Sequence, residues 1–485
     1  MRSSVLRLCT QLEPESKLSK SIWKASVRSV RVDSVWENFS KQVVAQAPFL
    51  TPRDVATVVH SFARVQFRDV KTLAAMTPSI LKHLDAFSVR EMVHIMSAFR
   101  KLEYAKLDCI DLLINQLVLK FPEWNEVDCA LIANAVGWFR VFDDSIWRQI
   151  YKFSLKHDFE PLGLSLIVGA MAKLDKRYEP VLRRFSRQLI NPQTQGVFKQ
   201  ESFAIIVHAF YKLGWTRDLR LNEFFQHELK HLLQEENFFD FQSLGLVMHA
   251  LFCYRVKDFE KGFTELETEI LGSGVRKVLT VATEHKISVD QYRRLVALVK
   301  VAAAHSLPDD IKEDLDVLKR LMKKQEFNSR SKRGHKLPRW EYEVYRILKD
   351  KMQIPVTKRV RDGRTDIFVK PVGGGEDVCV MCLGPFQYYT DSTKRTTASV
   401  LNQHLVGKKT MEIPFYIWNE LKTDQDKILF LYSQGRRVAA AIETDVASEI
   451  DEAEWNETGE DENTISRKNI TETEKSQLLE ALENS

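Results

Sequence analysis

Between Thr51 and Ser306 one short pattern recurs. A small residue (Ser61, Ala98, Gly137, Ala170, Ala209, Ala250, Ala297) is followed at once by a large apolar one (Phe62, Phe99, Trp138, Met171, Phe210, Leu251, Leu298). The intervals between the small residues are 37, 39, 33, 39, 41 and 47. A period of that size accommodates one helical hairpin, and a small residue flanked by large ones lets neighbouring helices approach closely. Such a chain cannot gather its apolar residues into one central core, because each hairpin must bury its face on the next. The pattern predicts seven helical hairpins stacked as an α-solenoid over residues 33–306.

Three positions after the small residue the chain is basic at Arg64, Lys101, Arg140, Lys173, Lys212 and Lys300, with Cys253 as the exception. Two compatible readings follow. A cation in the last turn of a helix complements the macrodipole and bonds free carbonyls. A cation presented by each repeat also forms a ladder for successive phosphates of a nucleic acid.

Charge is divided unevenly. Residues 441–485 hold 14 Asp and Glu against Arg467, Lys468 and Lys475, a net −11, which places +16 on residues 1–440 of a chain whose total is +5. The basic body suits a polyanionic partner, and the acidic tail is expected to be disordered up to a last helix near 472–482 and able to compete for the basic surface. No run of about 18 apolar residues occurs, so no membrane insertion is expected. Residues 1–32 are cationic, with Val5, Leu8, Cys9 and Leu12 on one helical face, as in an organellar targeting segment, mitochondrial first and plastid as the alternative. Residues 307–338, crowded with Lys319, Arg320, Lys323, Lys324, Arg330, Lys332, Arg333 and Lys336, read as a basic linker.

Two metal motifs are present only in outline. His227-Glu228-Leu229-Lys230-His231 has the H-E-x-x-H spacing of a zinc protease helix, but Phe225, Leu229, Leu232 and Leu233 make it an array helix. Cys379 and Cys382 have C-x-x-C spacing without a second pair, and on a strand residues three apart point to opposite faces. The six cysteines read as reduced core thiols, and neither a metal nor a cofactor is expected.

Within 339–440 a helix with Tyr342, Tyr345, Ile347 and Leu348 precedes an apolar strand, Val378 to Leu383, stopped by Gly384-Pro385. A helix carrying Leu401 and Leu405 ends at Gly407, and a strand from Met411 to Tyr416 delivers Trp418 and Leu421 into a last short helix. With Asp366, Gly384-Pro385, Tyr388, Gly407, Ile413-Pro414 and Trp418 in this order, the segment resembles the RAP domain of organellar RNA-binding proteins. The array before it looks like the degenerate hepta- or octotricopeptide repeats of that family, whose implied ligand is single-stranded RNA.

The resemblance implies a small α/β domain of restriction-endonuclease type, in which acidic residues hold magnesium. Asp366 fits the first ligand, but the further acidic positions fall at Met381 and Leu383 and a histidine position at Gln387. A thioether and an alkyl chain do not bind magnesium, so no catalysis is expected. Lys358, Arg359, Arg361, Arg364, Lys394, Arg395, Lys408 and Lys409 are candidates for phosphate contacts, and Tyr388, Tyr389 and Tyr416 for base stacking, whereas Trp418 and Phe415 are expected in the core. The expected role is in mitochondria: to bind single-stranded or ribosomal RNA and stabilise or process ribosomal or messenger transcripts with other factors, or to serve as a mitochondrial ribosome component beside mitochondrial ribosomal proteins. The alternatives are a protein scaffold of an organellar complex and a metal-dependent RNA endonuclease.

Overall fold

The computed structural model describes residues 14–191, 198–215, 218–235, 239–254, 262–282, 288–326, 339–361, 364–370, 377–390, 392, 394–406 and 409–435. The acidic tail, residues 1–13 of the expected targeting segment and residues 327–338 of the expected linker lie outside them.

Sixteen helices precede the first strand's lead-in helix among the described residues, and they pair into eight hairpins. The first members are α1 (Lys17–Val27), α3 (Pro52–Val65), α5 (Val89–Lys101), α7 (Glu126–Phe139), α9 (Pro161–Lys173), α11 (Gln200–Lys212), α13 (Phe241–Cys253) and α15 (Val289–Ala303). Their partners are α2 (Asp33–Gln46), α4 (Val70–Lys82), α6 (Leu107–Leu119), α8 (Asp144–Ser154), α10 (Glu179–Ile190), α12 (Leu219–Gln234), α14 (Glu265–Ala282) and α16 (Asp309–Glu326). First members pack on first members, from α1 through to α15, and second members form the other layer. The first layer is the more buried one: α7 buries ten of its 14 residues and α13 eleven of 13.

The seven expected hairpins are present and an eighth precedes them. Its α1 buries Leu18 and Ile22 against α3, and the Asp54 carboxylate accepts hydrogen bonds from the backbone N–H of Glu15 (2.9 Å) and Ser16 (3.1 Å). Burial by itself would raise the Asp54 pKa; the Ser19 hydroxyl and these two N–H groups outweigh it and hold the carboxyl below its ordinary value. A second correction concerns the linker. Its residues 309–326 are α16, which packs Ile311, Leu315, Leu318 and Met322 against α14 and α15 beneath a charged outer face, and the density of Lys and Arg on that face hid the apolar stripe.

The first six first-layer helices close in the same way. Ser29, Gln66, Glu103, Arg140, Asp175 and Gly214 all take positive φ, between 51° and 67°, and the following N–H donates five residues back, as Phe67 to Phe62, Tyr104 to Phe99, Val141 to Val136, Lys176 to Met171 and Trp215 to Phe210. This is the Schellman closure. It also corrects the repeat register: Val136 is the counterpart of Phe62 and Phe99, so the small residue in α7 is Ala135, and Arg140 is the left-handed cap instead of a last-turn cation. Gly137 misled the alignment because it too is small, and for good reason: a Cβ there would lie 2.7 Å from the Ala170 Cβ.

The last domain begins with α17 (Arg339–Arg346), continued by a wider turn over Ile347–Lys351. Four strands follow, β1 (Val356–Arg361), β2 (Arg364–Val369), β3 (Val378–Leu383) and β4 (Thr410–Pro414), in spatial order 1-2-3-4. The first three are antiparallel; β4 runs parallel to β3, with Met381 opposite Glu412, because α18 (Thr397–Val406) forms the crossover. A final helix, α19 (Phe415–Glu420), places Trp418 in the core at 1 % exposure, with its indole N–H donating to Glu343 at 3.1 Å. The strand expected over 411–416 thus stops at Pro414. Helix α18 packs on α11 and α15, and Leu401 and Tyr389 belong to the same buried core as the array. Contacts separate Phe430–Ser485 from the rest as a second unit, of which residues 430–435 are described and helical, with the Ser433 hydroxyl donating to the Phe430 carbonyl at 2.7 Å.

Candidate functional site

Where α18 and the Gly384-Pro385 turn meet the array, a cleft of about 770 Å³ opens. Its array wall is the end of three successive first-layer helices: Arg140 and Phe142 after α7, Lys173, Leu174 and Asp175 at the end of α9, and Lys212 at the end of α11. Its other wall is Pro385, Phe386, Tyr388, Tyr389, Thr390, Ser392, Phe415 and Tyr416.

The walls are joined by hydrogen bonds to carbonyls that the helix ends leave unpaired. Tyr389 Oη donates to the Lys212 carbonyl at 2.9 Å and Thr397 Oγ1 to the same oxygen at 2.6 Å. Thr390 donates through Oγ1 to the Leu174 carbonyl at 2.6 Å and through its N–H to the Asp175 carbonyl at 3.0 Å. The Arg177 guanidinium lies 5.8 Å from the Tyr389 ring centre. Gly214 fits this joint for two reasons: its φ is +67°, and a Cβ would meet the Tyr389 hydroxyl at 2.9 Å.

The cations divide into held and open ones. Lys212 Nζ is 3.1 Å from Asp175 and donates to the Ala172 carbonyl, so it caps the neighbouring helix α9. Burial raises the Asp175 carboxyl and Lys212 opposes that rise. Arg140 and Lys173 are exposed, and among the described residues neither has an ion-pair partner. The Lys173 pKa is lowered, first by partial burial and then by Arg100 and Arg140, as expected where neighbouring cations outweigh the carboxylate of Asp175, which Lys212 engages. Arg64 and Lys101 continue the basic edge along α3 and α5, beside His60, and Lys300 is exposed on α15.

The aromatics divide likewise. Tyr389 is 3 % exposed and committed to the joint. Tyr388 packs its ring 5.5 Å from Tyr416 and 6.1 Å from Phe415, and burial pushes its hydroxyl pKa up, so the phenol stays a donor. Phe386 is 80 % exposed and Phe142 46 %. Neither was singled out in the sequence. The available signal was a bare phenylalanine in a Gly-Pro turn, where an apolar residue has no core to fill.

The remaining candidates lie elsewhere. Arg395 is held by Glu412, Gln403 and Ser399 inside the domain. Lys358 Nζ sits 3.6 Å from the Tyr345 ring centre. Lys394 is exposed, and Lys409 is half-buried beside β4, its carbonyl accepting from the Cys379 N–H at 2.8 Å. Lys408 and the side chains of Arg359, Arg361, Arg364 and Asp366 lie outside the described residues. His227 and His231 are exposed on α12, with His231 3.9 Å from Glu235, and no three potential metal ligands cluster among the described residues. Nor is any described helix long and apolar enough to cross a membrane.

A sequence profile for the RAP domain matches residues 380–434, which begin two residues into β3 and contain the Gly-Pro turn, α18, β4 and α19. That domain is associated with RNA binding. No curated protein matches the chain.

Proposed function

Because the chain is a RAP-domain protein with a helical-repeat array ahead of that domain, we propose that it binds RNA in mitochondria without cutting it. Its work is to stabilise or process a transcript, or to hold ribosomal RNA beside mitochondrial ribosomal proteins. The cleft carries this reading: Arg140 and Lys173, exposed and without anionic partners among the described residues, face Phe386 and Tyr416. Cations over a groove track phosphates, and aromatic faces accept bases of any sequence. Arg64 and Lys101 extend the same edge along the repeats that precede the cleft.

Two features favour binding over cleavage. Leu383, at an expected acidic position, is 1 % exposed in the core, and Met381 offers sulfur where magnesium takes oxygen. The cationic start of the chain supports the mitochondrial assignment, and removal of a leader within residues 1–13 would keep the bonds from the Glu15 and Ser16 N–H groups to Asp54.

Ultraviolet crosslinking of the tagged protein in cells, with sequencing of the attached RNA, tests the reading. Discrete peaks on organellar ribosomal or messenger RNA are expected; RNA no more abundant than in an untagged control overturns it. Purified protein incubated with the bound RNA and magnesium should leave it intact, and specific fragments would establish a nuclease instead.

A further inference from the structure

The floor and the mouth of the cleft differ in kind. At the floor the bonds from Tyr389 and Thr390 to the Lys212, Leu174 and Asp175 carbonyls join one wall to the other, so an extended strand has no way through between those residues. At the mouth Phe386, 80 % exposed, projects from the Gly-Pro turn, with Tyr416 37 % and Phe142 46 % exposed around the same opening. A ring held that far out gives up the transfer free energy it would gain in a core, so its placement asks for a flat apolar partner. Beside these rings Lys173 lies within the field of Arg140 and Arg100, and the cleft's one carboxylate, Asp175, is engaged by Lys212 at 3.1 Å. A ligand that suits both features has a planar face and a negative charge, and the cleft's volume lies in the range, about 300–1,000 Å³, that encloses ligands of small-molecule size.

We propose that this cleft captures one unstacked nucleotide of single-stranded RNA, its base against Phe386 and Tyr416 and its phosphate on Arg140 and Lys173. The inference rests on the RNA-binding reading and narrows it. Bases in a duplex are stacked and paired and cannot present a face to Phe386, so the cleft selects single strands or strand ends, while the basic edge along Arg64 and Lys101 holds phosphates of either form. Sequence preference at this position is weak, because stacking accepts every base.

The test is fluorescence anisotropy of the full chain with a labelled twelve-residue oligouridylate, alone and paired with its complement. Phe386→Ala should weaken single-strand binding on the order of ten-fold or more, leave duplex binding unchanged, and keep the salt dependence of the wild type. Phe386→Tyr should restore binding, since the ring is what matters. Lys173→Ala should lower the slope of log K against log salt by about 0.7 on the single strand. If the wild type binds and Phe386→Ala binds equally well, the cleft is not a base site, and the RNA-binding reading survives without it. If the wild type binds neither form, the RNA-binding reading itself fails. If uridine monophosphate displaces the oligomer at equal molar concentration, the cleft serves free nucleotides and the inference is overturned.

Discussion

The Tyr389 hydroxyl donates to the backbone carbonyl of Lys212 at 2.9 Å, across 177 residues of sequence. The acceptor is the end of a repeat helix and the donor the loop that leads into α18, so this bond fixes where the C-terminal domain meets the array. Tyr389→Phe removes the donor and leaves Thr397 alone on that carbonyl. The expected loss is about 1 kcal/mol, seen as a lowered denaturant midpoint with unchanged slope. An unaltered midpoint would mean that the apolar contacts of Leu401 and the Tyr389 ring suffice.

Two glycines of the first layer should respond in opposite directions. At Gly137 a Cβ would lie 2.7 Å from the Cβ and 2.9 Å from the Cα of Ala170, backbone that has no room to retreat, so Gly137→Ala should destabilise by about 1–3 kcal/mol. At Gly245, inside α13, a Cβ meets nothing within 4 Å, and Gly245→Ala should stabilise by about 0.5–1 kcal/mol through the entropy of the unfolded chain. Thermal denaturation of both variants reads the contrast, and equal shifts would contradict the close approach of α7 and α9.

Asp54 ties the start of the described chain to α3. Its pKa is held below the ordinary value, so its contribution is present above about pH 4, the unfolded carboxylate range, and is lost as pH falls through the folded value. Asp54→Ala leaves the Glu15 and Ser16 N–H groups without their acceptor and should cost on the order of 1–3 kcal/mol. Limited proteolysis is the sensitive assay: cleavage within residues 17–27 should appear in the variant and not in the wild type at neutral pH.

Buried histidines set the acid limit of the array. The His60 and His94 rings meet edge to face with centres 4.8 Å apart, and the His249 ring centre lies 4.7 Å from that of Tyr254. Burial first, then Arg90 and Lys101, lowers His94 to about 4; burial and Arg294 lower His249 to about 3. Folded His is neutral where unfolded His already binds a proton, so stability is complete above about pH 6.5 and falls as pH drops toward the folded values. His94→Leu should flatten the dependence of melting temperature on pH between about 6.5 and 4, and an unchanged curve would show that His94 is protonated in the fold.

The candidate site was legible in parts. Arg140, Lys173 and Lys212 stood out as a recurring column, and Tyr388 and Tyr416 as aromatics near the Gly-Pro turn. Their grouping was not legible, nor was the sorting among them: Lys212 turns to Asp175, Arg395 to Glu412 and Tyr389 to a carbonyl, while Arg140 and Lys173 stay open. Ion pairing depends on what a neighbouring element brings within 4 Å, and sequence spacing does not carry that. Phe386 was passed over for the same reason, because exposure belongs to the folded surface.

By itself the sequence determined the elements. Helical spacing, a small residue beside a large one, caps, and a strand halted by Gly-Pro are local signals, and they specified stacked hairpins followed by a small α/β domain, because helix and strand formation are decided within a few turns of chain. Tertiary structure decided register and meeting place: that Ala135 and not Gly137 is the repeated small residue, that Asp309–Glu326 closes the array, and that α18 docks on α11 and α15 so that Phe386 faces Arg140. Those outcomes follow from which surfaces bury the most apolar area and which free carbonyls find donors, and both are summed over the whole fold.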